Sequence, residues 1–221
     1  MHTPVEFGPN GAFAFYSHNA EKAEKKGFPP ASIILSNHYI HADEEMYTFE
    51  VPDVYLQSVR EESRCTEKMK FLRARNSEAH IMLLKAAIFG DMDAYLAILE
   101  NPDNAALVKE MGKGVRGFSE EKWFQFLPSV ALEVVWQKFT KVPAFHAYLV
   151  EVASQHKLII EHTKNDALWG NGADLEPGQK HTVPALWRDP RSNEQACNIL
   201  GWALMQVGKV LIDQVSSGHV S

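Results

Sequence analysis

The last segment of the chain carries a single apolar stripe, and this helical periodicity limits the possible folds more than any other feature of the sequence. From about Asn193 the apolar residues recur every three or four positions, as on the buried face of an amphipathic helix. The stripe consists of Ala196, Leu200, Ala203, Val207, Val210 and Leu211. Similar spacing begins at Asn76, so the sequence predicts a chain that is mostly helical beyond that residue.

Further helices are predicted between Asn76 and the final segment, each from a capping residue or a proline. They are expected to begin at Ser77, at Asn101 followed by Pro102, at Ser119, just after Pro128 and at Pro143. Gly112 is expected to end the helix that follows Pro102, because glycine is common at helix C-termini.

Three short segments have the composition of strands. They are residues 12–16 (AFAFY), 31–40 (ASIILSNHYI) and 157–162 (KLIIEH). The predicted fold class is therefore α+β, mostly helical, with a small sheet built from the N-terminal strands and residues 157–162. A single domain is expected over residues 1–221, with its core at about 15–212 and a loop insertion at 171–192. Loops of that length are usually functional or unstructured.

Composition and charge narrow the class of protein. A hydrophobic content of 45% in 221 residues suffices for a sizeable core, and a formal net charge of −6 argues against a protein held to nucleic acid by bulk charge. Two cysteines are too few for a disulfide framework or a zinc ribbon. No apolar run approaches the roughly 18 residues of a membrane span, and no signal-peptide pattern is present. A soluble intracellular protein, cytoplasmic or nuclear, is expected.

Two patterns that resemble known sites are interpreted otherwise. The segment GKGVRG at 112–117 has the spacing of a dinucleotide-binding loop, but it follows a helical segment instead of a strand, so it is predicted to be a helix end and loop. His38 and His41 lie on a predicted strand at a spacing that points their rings to opposite faces. Neither a metal nor a cofactor is predicted.

The segment DALWGNG follows the apolar residues 157–162 and admits two interpretations. It is either a plain turn, with Gly170 at positive φ, Trp169 folded over the core and Asp166 exposed, or a carboxylate beside a flat aromatic at a strand end. A carboxylate in that position suits a cationic transition state such as that of glycosidic cleavage.

The segment 119–139 contains Trp123, Trp136 and Phe139 at helical spacing, which is more typical of a core than of a ligand cage. Lys138 lies among these apolar residues. From the residues alone, a solvated lysine is favoured, because its alkyl stem covers apolar surface while the ammonium reaches water.

Several short motifs occur in a fixed order along the chain. They are Phe15-Tyr16; Leu35-Ser36-Asn37-His38-Tyr39; Asp53 with Gln57 and Arg60; Lys109 with Gly112 and Trp123; Lys138-Phe139; Asp166 with Trp169 and Gly170; and Asn198 with Leu200, Gly201, Leu204 and Met205. In this order they resemble the motifs of the NADAR family (NAD- and ADP-ribose-associated). The resemblance covers about residues 15–212 and implies a single NADAR-like domain.

The resemblance implies an N-glycosidase that hydrolyses the bond between C1′ of a ribose and a nitrogen, with no metal and no cofactor. The substrate class that it favours is ADP-ribose attached to guanine, in DNA or in a nucleotide, so the expected partner is ADP-ribose or ADP-ribosylated guanine. It leaves open a glycosidase of phosphoribosylated riboflavin-pathway intermediates and a non-catalytic reader of ADP-ribose. A helical interaction module, in which DALWG is only a turn, is a further alternative.

The resemblance also implies roles for individual residues. Asp166 is the expected catalytic carboxylate, and its partner acid is Asp53, which stands where the family has glutamate, or Glu50 three residues earlier. The implied substrate-binding residues are Tyr16, Ser36, Asn37, Tyr39, Arg60, Trp123, Lys138, Trp169, Gly170 and Asn198. Within this set, Asn37 and Tyr39 would line the ribose pocket and Trp169 would pack on the ribose. Lys138 and Arg60 would contact phosphate.

Overall fold

The computed structural model describes residues 2–4, 9–60, 67–164, 166–172, 182–184 and 198–217. The chain forms two compact units, the first from Met1–Ser36 with Ala131–Ser221 and the second from Asn37–Val130. The predicted α+β class with mostly helical content is confirmed. Among the described residues, no helix has the combination of length and apolar character that crossing a membrane requires.

The elements that follow are those of the described residues. The helices are Ala20–Lys25 (α1), Asp53–Arg60 (α2), Ser77–Phe89 (α3), Met92–Glu100 (α4), Ala105–Lys113 (α5), Glu120–Lys141 (α6), Pro143–Gln155 (α7) and Ile199–Ser216 (α8). The strands are His2–Pro4 (β1), Ala12–Phe15 (β2), Thr48–Glu50 (β3), Phe71–Arg73 (β4), Leu158–Glu161 (β5) and Thr182–Pro184 (β6). These strands form three pairs: β1 with β6 and β3 with β4 are antiparallel, and β2 with β5 is parallel.

The first unit is built around the parallel pair of β2 and β5, whose register runs from Ala12 opposite Leu158 to Phe15 opposite Glu161. This confirms the sheet expected from an N-terminal strand and residues 157–162. Helix α8 packs against β5 and α7 through most of the predicted stripe. Val210 is an exception at 46% exposure, because at 100° per residue it lies at the margin of the buried face.

Two predictions for the first forty residues are wrong. Residues 31–40 do not form a strand: Pro30–Leu35 is a 3-10 helix, in which the Ser32 hydroxyl donates to the Pro29 carbonyl at 2.6 Å. The prolines at its start fix φ near the helical value and override the β-type composition. His38 and His41 consequently do not lie on a strand.

Several predicted helix boundaries also differ from the structure. Helix α3 is capped by Asn76 instead of Ser77, since the Asn76 side chain accepts from the Ala79 N–H at 3.1 Å. Asn101 ends α4, and Asn104 caps α5. Gly112 does not end α5, which continues for one more residue before Gly114 closes it at the predicted loop.

The predicted break at Pro128 is absent, because α6 is one helix of 22 residues with this proline inside it. Side chains on both sides of the proline are buried, Leu127 and Val130 among them. At the start of α8, Ala196 and the rest of residues 191–197 lie outside the described residues. The predicted loop at 171–192 is described only at 171–172 and at 182–184, the latter being strand β6.

Asp91 is a buried carboxylate of the second unit. Asp91 caps α4, and it accepts from the Arg116 main-chain N–H and the Arg116 guanidinium, both at 2.7 Å. Burial alone would raise the pKa of the Asp91 carboxyl, but the hydrogen bonds and charge of Arg116 outweigh it and hold the pKa below its usual value. Asp93 contacts the same guanidinium at 2.7 Å from an exposed position.

Replacing Asp91 by asparagine is expected to lower the free energy of unfolding by about 2–3 kcal/mol at pH 7, because the buried Asp91 carboxylate loses charge-assisted hydrogen bonds to the more exposed Arg116 guanidinium. Asp93→Asn is the matched control and should change it by less than about 1 kcal/mol, as for exposed ion pairs. Asp93 presents 58% of its side chain to solvent and Asp91 only 4%.

The pH dependence of this difference follows from the lowered pKa of Asp91. The contribution of the Asp91 carboxylate to the free energy of unfolding is fully present above its unfolded-state pKa of about 3.9. It is lost as the pH falls through the lower pKa of the folded state. Urea unfolding between pH 7 and pH 2 measures it. A difference between wild type and Asp91→Asn that stays constant down to the lowest pH would contradict the assignment.

Candidate functional site

The strongest candidate site in the first unit lies at the carboxyl ends of β2 and β5. Strand β2 leads directly into Tyr16, and β5 leads through His162 into the segment that contains Asp166. Because the two strands are parallel and in register, their carboxyl ends lie at the same edge, where parallel sheets commonly bind ligands. Tyr16 and the Asp166 segment are therefore neighbours in the fold although about 150 residues separate them in the chain.

Asp166 holds its own turn together. Its Oδ1 accepts from the main-chain N–H groups of Leu168 at 2.9 Å and Trp169 at 2.8 Å. The carboxylate is half-buried, and within the described residues these two bonds are its only hydrogen bonds, which leaves Oδ2 without a partner there. The side chain thus has one oxygen that holds the turn and one oxygen to which no other described residue donates.

Gly170 and Trp169 differ from the plain-turn interpretation. Gly170 does not have a positive φ; it is buried, and a Cβ there would collide with the Thr163 methyl group and lie 3.0 Å from the Glu161 carbonyl oxygen. The glycine is required by close packing instead of by backbone conformation. Trp169 is half-buried, and so is Asp166, which the plain turn would expose.

The turn is also bonded to the start of α8. The carbonyls of Leu168, Trp169 and Gly170 accept from the N–H groups of Ile199 at 3.1 Å, Leu200 at 3.2 Å and Asn198 at 2.9 Å. The Asn198 side chain is used differently from the substrate contact that the resemblance implies. Its amide bonds to the main chain of β5, accepting from Glu161 N–H at 2.9 Å and donating to the Ile159 carbonyl at 2.8 Å.

Tyr16 belongs to a small aromatic cluster at the same edge. Its half-buried ring stacks on Phe28 with centroids 5.9 Å apart, and the Lys26 ammonium lies 5.6 Å from its centroid. The opposite neighbour of Phe28 is the buried ring of His162 at 5.5 Å, whose Nδ1 is 2.9 Å from the Asn171 amide nitrogen. This cluster offers an aromatic surface and a cation beside the Asp166 turn.

Lys138 is buried, with 1% of its surface exposed, so the solvated lysine favoured from the residues alone is wrong. Its ammonium donates to the Ser36 carbonyl at 2.9 Å and lies 5.4 Å and 5.6 Å from the ring centroids of Phe139 and Phe145. Burying an ammonium is costly unless it is hydrogen-bonded or paired, and these contacts reduce that cost. The bond fixes the peptide group that leads from Ser36 into Asn37.

In the second unit, Asn37 and Tyr39 follow that peptide group. Asn37 is buried, and its carbonyl accepts from the Glu78 N–H at 3.1 Å. The Tyr39 hydroxyl donates to Glu45 Oε2 at 2.9 Å. Burial and then this contact with Glu45 raise the pKa of Tyr39 to about 12, so the hydroxyl remains a hydrogen-bond donor at neutral pH.

The two predicted partner acids occupy exposed positions. Glu50 lies on β3 and Asp53 at the start of α2, with 52% and 62% of their side chains exposed. The Lys70 ammonium lies 2.8 Å from Asp53 and 3.8 Å from Glu50. Arg60 is the last residue of α2, and its side chain is outside the part of the chain that the structure describes.

Glu78 is an acid that the sequence analysis did not single out. It lies in the first turn of α3, is only 7% exposed, and places Oε2 3.8 Å from Nε2 of the half-buried His38. Its neighbourhood therefore includes both Asn37 and His38 of the Leu35-to-Tyr39 motif. An acid in the first turn is usual for a helix, so the sequence held no signal that distinguished Glu78 from an ordinary first-turn acid.

Trp123 belongs to the core of the second unit, and it is buried. The Lys85 ammonium lies 5.8 Å from its centroid and 4.0 Å from that of Phe118, and donates to the Gly112 carbonyl at 2.7 Å. Burial lowers the pKa of Lys85. The substrate contact that the resemblance implies for Trp123 stays a prediction; among the described residues, its ring packs beside Lys85.

No group of three histidine, cysteine, aspartate or glutamate side chains that could hold a metal ion occurs in the described residues. The fold and the carboxylates define a mostly helical α+β protein with a candidate acid in each of its two units. The chain belongs to the NADAR family, since the family model of the NADAR domain matches residues 30–212. It is also similar to N-glycosidase R617 of Acanthamoeba polyphaga mimivirus, with 27% identity over 138 residues, or 62% of this chain and 75% of that protein.

Proposed function

We propose that this protein is an N-glycosidase that hydrolyses the bond between C1′ of a ribose and a base nitrogen, and that it releases ADP-ribose from ADP-ribosylated guanine. The Asp166 carboxylate carries the proposal: two main-chain N–H groups hold Oδ1, while Oδ2 has no partner within the described residues. The match to the NADAR family and the name of the viral relative, N-glycosidase R617, support N-glycosidic hydrolysis as the type of reaction.

The reaction needs a negative charge near C1′. As the C1′–N bond breaks, its electron pair leaves with the base and the ribose acquires oxocarbenium character. A carboxylate that is already oriented stabilises that charge without reorganising, which is the main source of rate enhancement in such sites. Water then bonds to C1′ and releases its proton to the solvent, from which the acid that protonated the base is reprotonated. Asp166 Oδ2 is the group that we assign to stabilise the cation and orient the attacking water.

The departing base needs a proton on its nitrogen. Glu78 is the better candidate for this acid, because its carboxyl is shielded from water and lies beside the Leu35-to-Tyr39 motif. Desolvation favours the protonated form of a carboxyl group. Glu50 and Asp53 remain candidates, and both are more exposed than Glu78.

The remaining substrate contacts follow from the groups at hand. In the first unit, the aromatic surface of Tyr16 and the half-buried Trp169 suit packing against a base and a ribose. In the second unit, Asn37 and Tyr39 supply polar groups for the ribose. Arg60 is kept as a phosphate contact on the basis of the resemblance. Lys138 is assigned a supporting role through Ser36.

The test is a comparison of substrates with the purified chain. An ADP-ribosylated-guanine oligonucleotide, the corresponding free nucleotide and a phosphoribosylated amine are incubated separately, and products are identified by mass. Release of ADP-ribose is expected with a kcat/KM at least about 100-fold above that for the phosphoribosyl compound, since remote binding energy is used at the reacting bond. Unmodified oligonucleotide and enzyme-free reactions are the controls.

Two results would overturn the proposal in different ways. Turnover of the phosphoribosyl compound alone would keep the glycosidase and change its substrate. Tight binding of ADP-ribose with no cleavage of any substrate would replace the enzyme by a reader of ADP-ribose.

A further inference from the structure

We propose that Asn198 is a positioning residue, whose side-chain amide and main chain fix the Asp166 turn in the place from which Asp166 acts. The inference rests on the proposed function for its kinetic consequences. Asn198 hydrogen-bonds to β5 with its side chain and to the Asp166 turn with its main chain, and this pair of contacts is the basis of the inference.

The Asn198 amide takes the place of a neighbouring strand. Strand β5 pairs with β2 along one edge, and at its other edge the Ile159 carbonyl and the Glu161 N–H bond to Asn198 Nδ2 and Oδ1. Carbonyl and N–H groups two residues apart on a strand point to the same side, so one planar amide satisfies both. Without these two hydrogen bonds, the Ile159 carbonyl and the Glu161 N–H would be removed from water without a partner, which would lower the stability of the fold.

The main chain of Asn198 then begins α8 in an uncommon conformation. Its φ is 61°, in the left-handed region that asparagine tolerates better than most residues. The first N–H groups of a helix have no partners inside the helix. Here the N–H groups of Asn198, Ile199 and Leu200 donate to three consecutive carbonyls of the turn, those of residues 168–170.

Two of these three turn residues also hold the carboxylate. Leu168 and Trp169 donate their N–H groups to Asp166 Oδ1 and accept at their carbonyls from α8. The peptide group between Leu168 and Trp169 is therefore bonded on both sides, to Asp166 through its N–H and to the helix through its carbonyl. A shift of α8 relative to β5 would be passed to the Asp166 side chain through hydrogen bonds alone.

Close packing leaves little room for such a shift. A Cβ at Gly201 would overlap the Ile159 carbonyl oxygen and the Asn198 amide, so the first turn of α8 lies directly against β5. Gly170 approaches the Glu161 carbonyl in the same way. The Asn198 amide thus lies within a tightly packed contact between β5, the Asp166 turn and α8.

The first experiment measures the turn without any substrate. Amide hydrogen exchange is followed in Asn198→Gly, which keeps the left-handed φ and removes the side chain, and in Leu211→Ala, which lowers stability from a fully buried site on the same helix. The N–H groups of Leu168 and Trp169 are expected to exchange about 10-fold faster or more in Asn198→Gly at matched global stability. Equal exchange in the two variants would overturn the proposal.

The second experiment separates positioning from substrate contact. With the substrate that the wild type cleaves, Asn198→Gly is expected to lower kcat about 100-fold and to change KM less than about 3-fold, because misplacing a reacting group costs rate. In an Asp166→Asn background the same change should cost almost nothing further, since the two residues act as one unit. Leu211→Ala should lower kcat little in either background.

The alternative outcomes are distinct. A rise in KM with kcat intact would mean that Asn198 contacts substrate, and equal losses in both backgrounds would mean a general structural role; either overturns the proposal. If Asn198→Gly does not fold, Asn198→Asp keeps the acceptor for Glu161 N–H, loses the donor to Ile159, and is measured instead. If the wild type cleaves nothing, the proposed function fails, and hydrogen exchange still decides whether Asn198 positions the turn.

Discussion

Replacing Asp166 by asparagine is expected to lower kcat by at least about 100-fold while KM changes little, because the lost interaction is made in the transition state. Asparagine keeps a carbonyl oxygen that can accept from Leu168 and Trp169, so the turn survives. The change removes only the negative charge at Oδ2. Steady-state release of ADP-ribose, with ligand binding measured separately, gives the two constants.

The control for this substitution is Asp213→Asn, the same chemical change at an exposed position on α8. It should leave kcat and KM within about twofold of wild type, since surface substitutions away from such sites have small effects. If Asp166→Asn retained wild-type kcat, the carboxylate would be only the cap of its turn. The proposal would then lose the observation on which it depends.

Replacing Glu78 by glutamine is expected to lower kcat by about 100-fold or more, the usual loss when a general acid is removed. The substitution preserves the shape of the side chain and the main-chain bond from the residue 78 N–H to the Asn37 carbonyl. Glu50→Gln and Asp53→Asn are matched controls at exposed positions and should lower kcat less than about 3-fold.

A second substrate distinguishes an acid from a residue that supports the fold. A ribosylated base that already carries a positive charge, such as an N7-methylated guanine, leaves without needing a proton. Glu78→Gln should therefore cleave it at a rate close to that of wild type. An equal loss on both substrates would show that Glu78 does not supply the proton, and a large loss in Glu50→Gln or Asp53→Asn would move the acid to that residue.

Periodicity predicted the helices well where a buried face decides the structure. The start of α7 at Pro143 and the strand β5 follow from local signals that packing reinforces. The strand prediction for residues 31–40 was wrong, because the two prolines just before this segment favour a 3-10 helix over the strand that its β-branched residues suggest. The helix boundary predicted at Pro128 was also wrong, since packing of the turns on either side of the proline outweighs the missing N–H and the helix continues.

The candidate site was less predictable than the fold, because spacing along the chain shows which face a residue lies on but not what meets it. Lys138 had the same sequence context whether its ammonium reached water or the Ser36 carbonyl. Glu78 looked like an ordinary first-turn acid, and only the fold shows that it is shielded. The order of motifs led to Asp166 without any of this, because a resemblance to a family does not depend on which groups surround a residue; its catalytic role stays a prediction.

The division of the chain sets an order of events during synthesis. The second unit is one continuous segment, Asn37–Val130, whereas the first unit joins Met1–Ser36 to Ala131–Ser221. Strand β2 pairs with β5, and the bond from Lys138 to Ser36 spans 102 residues, so neither contact can form before the C-terminal part is made. A nascent chain released from the ribosome before β5 and α8 emerge would hold a complete second unit and an unpaired β2 edge, which makes C-terminal truncation a route to aggregation.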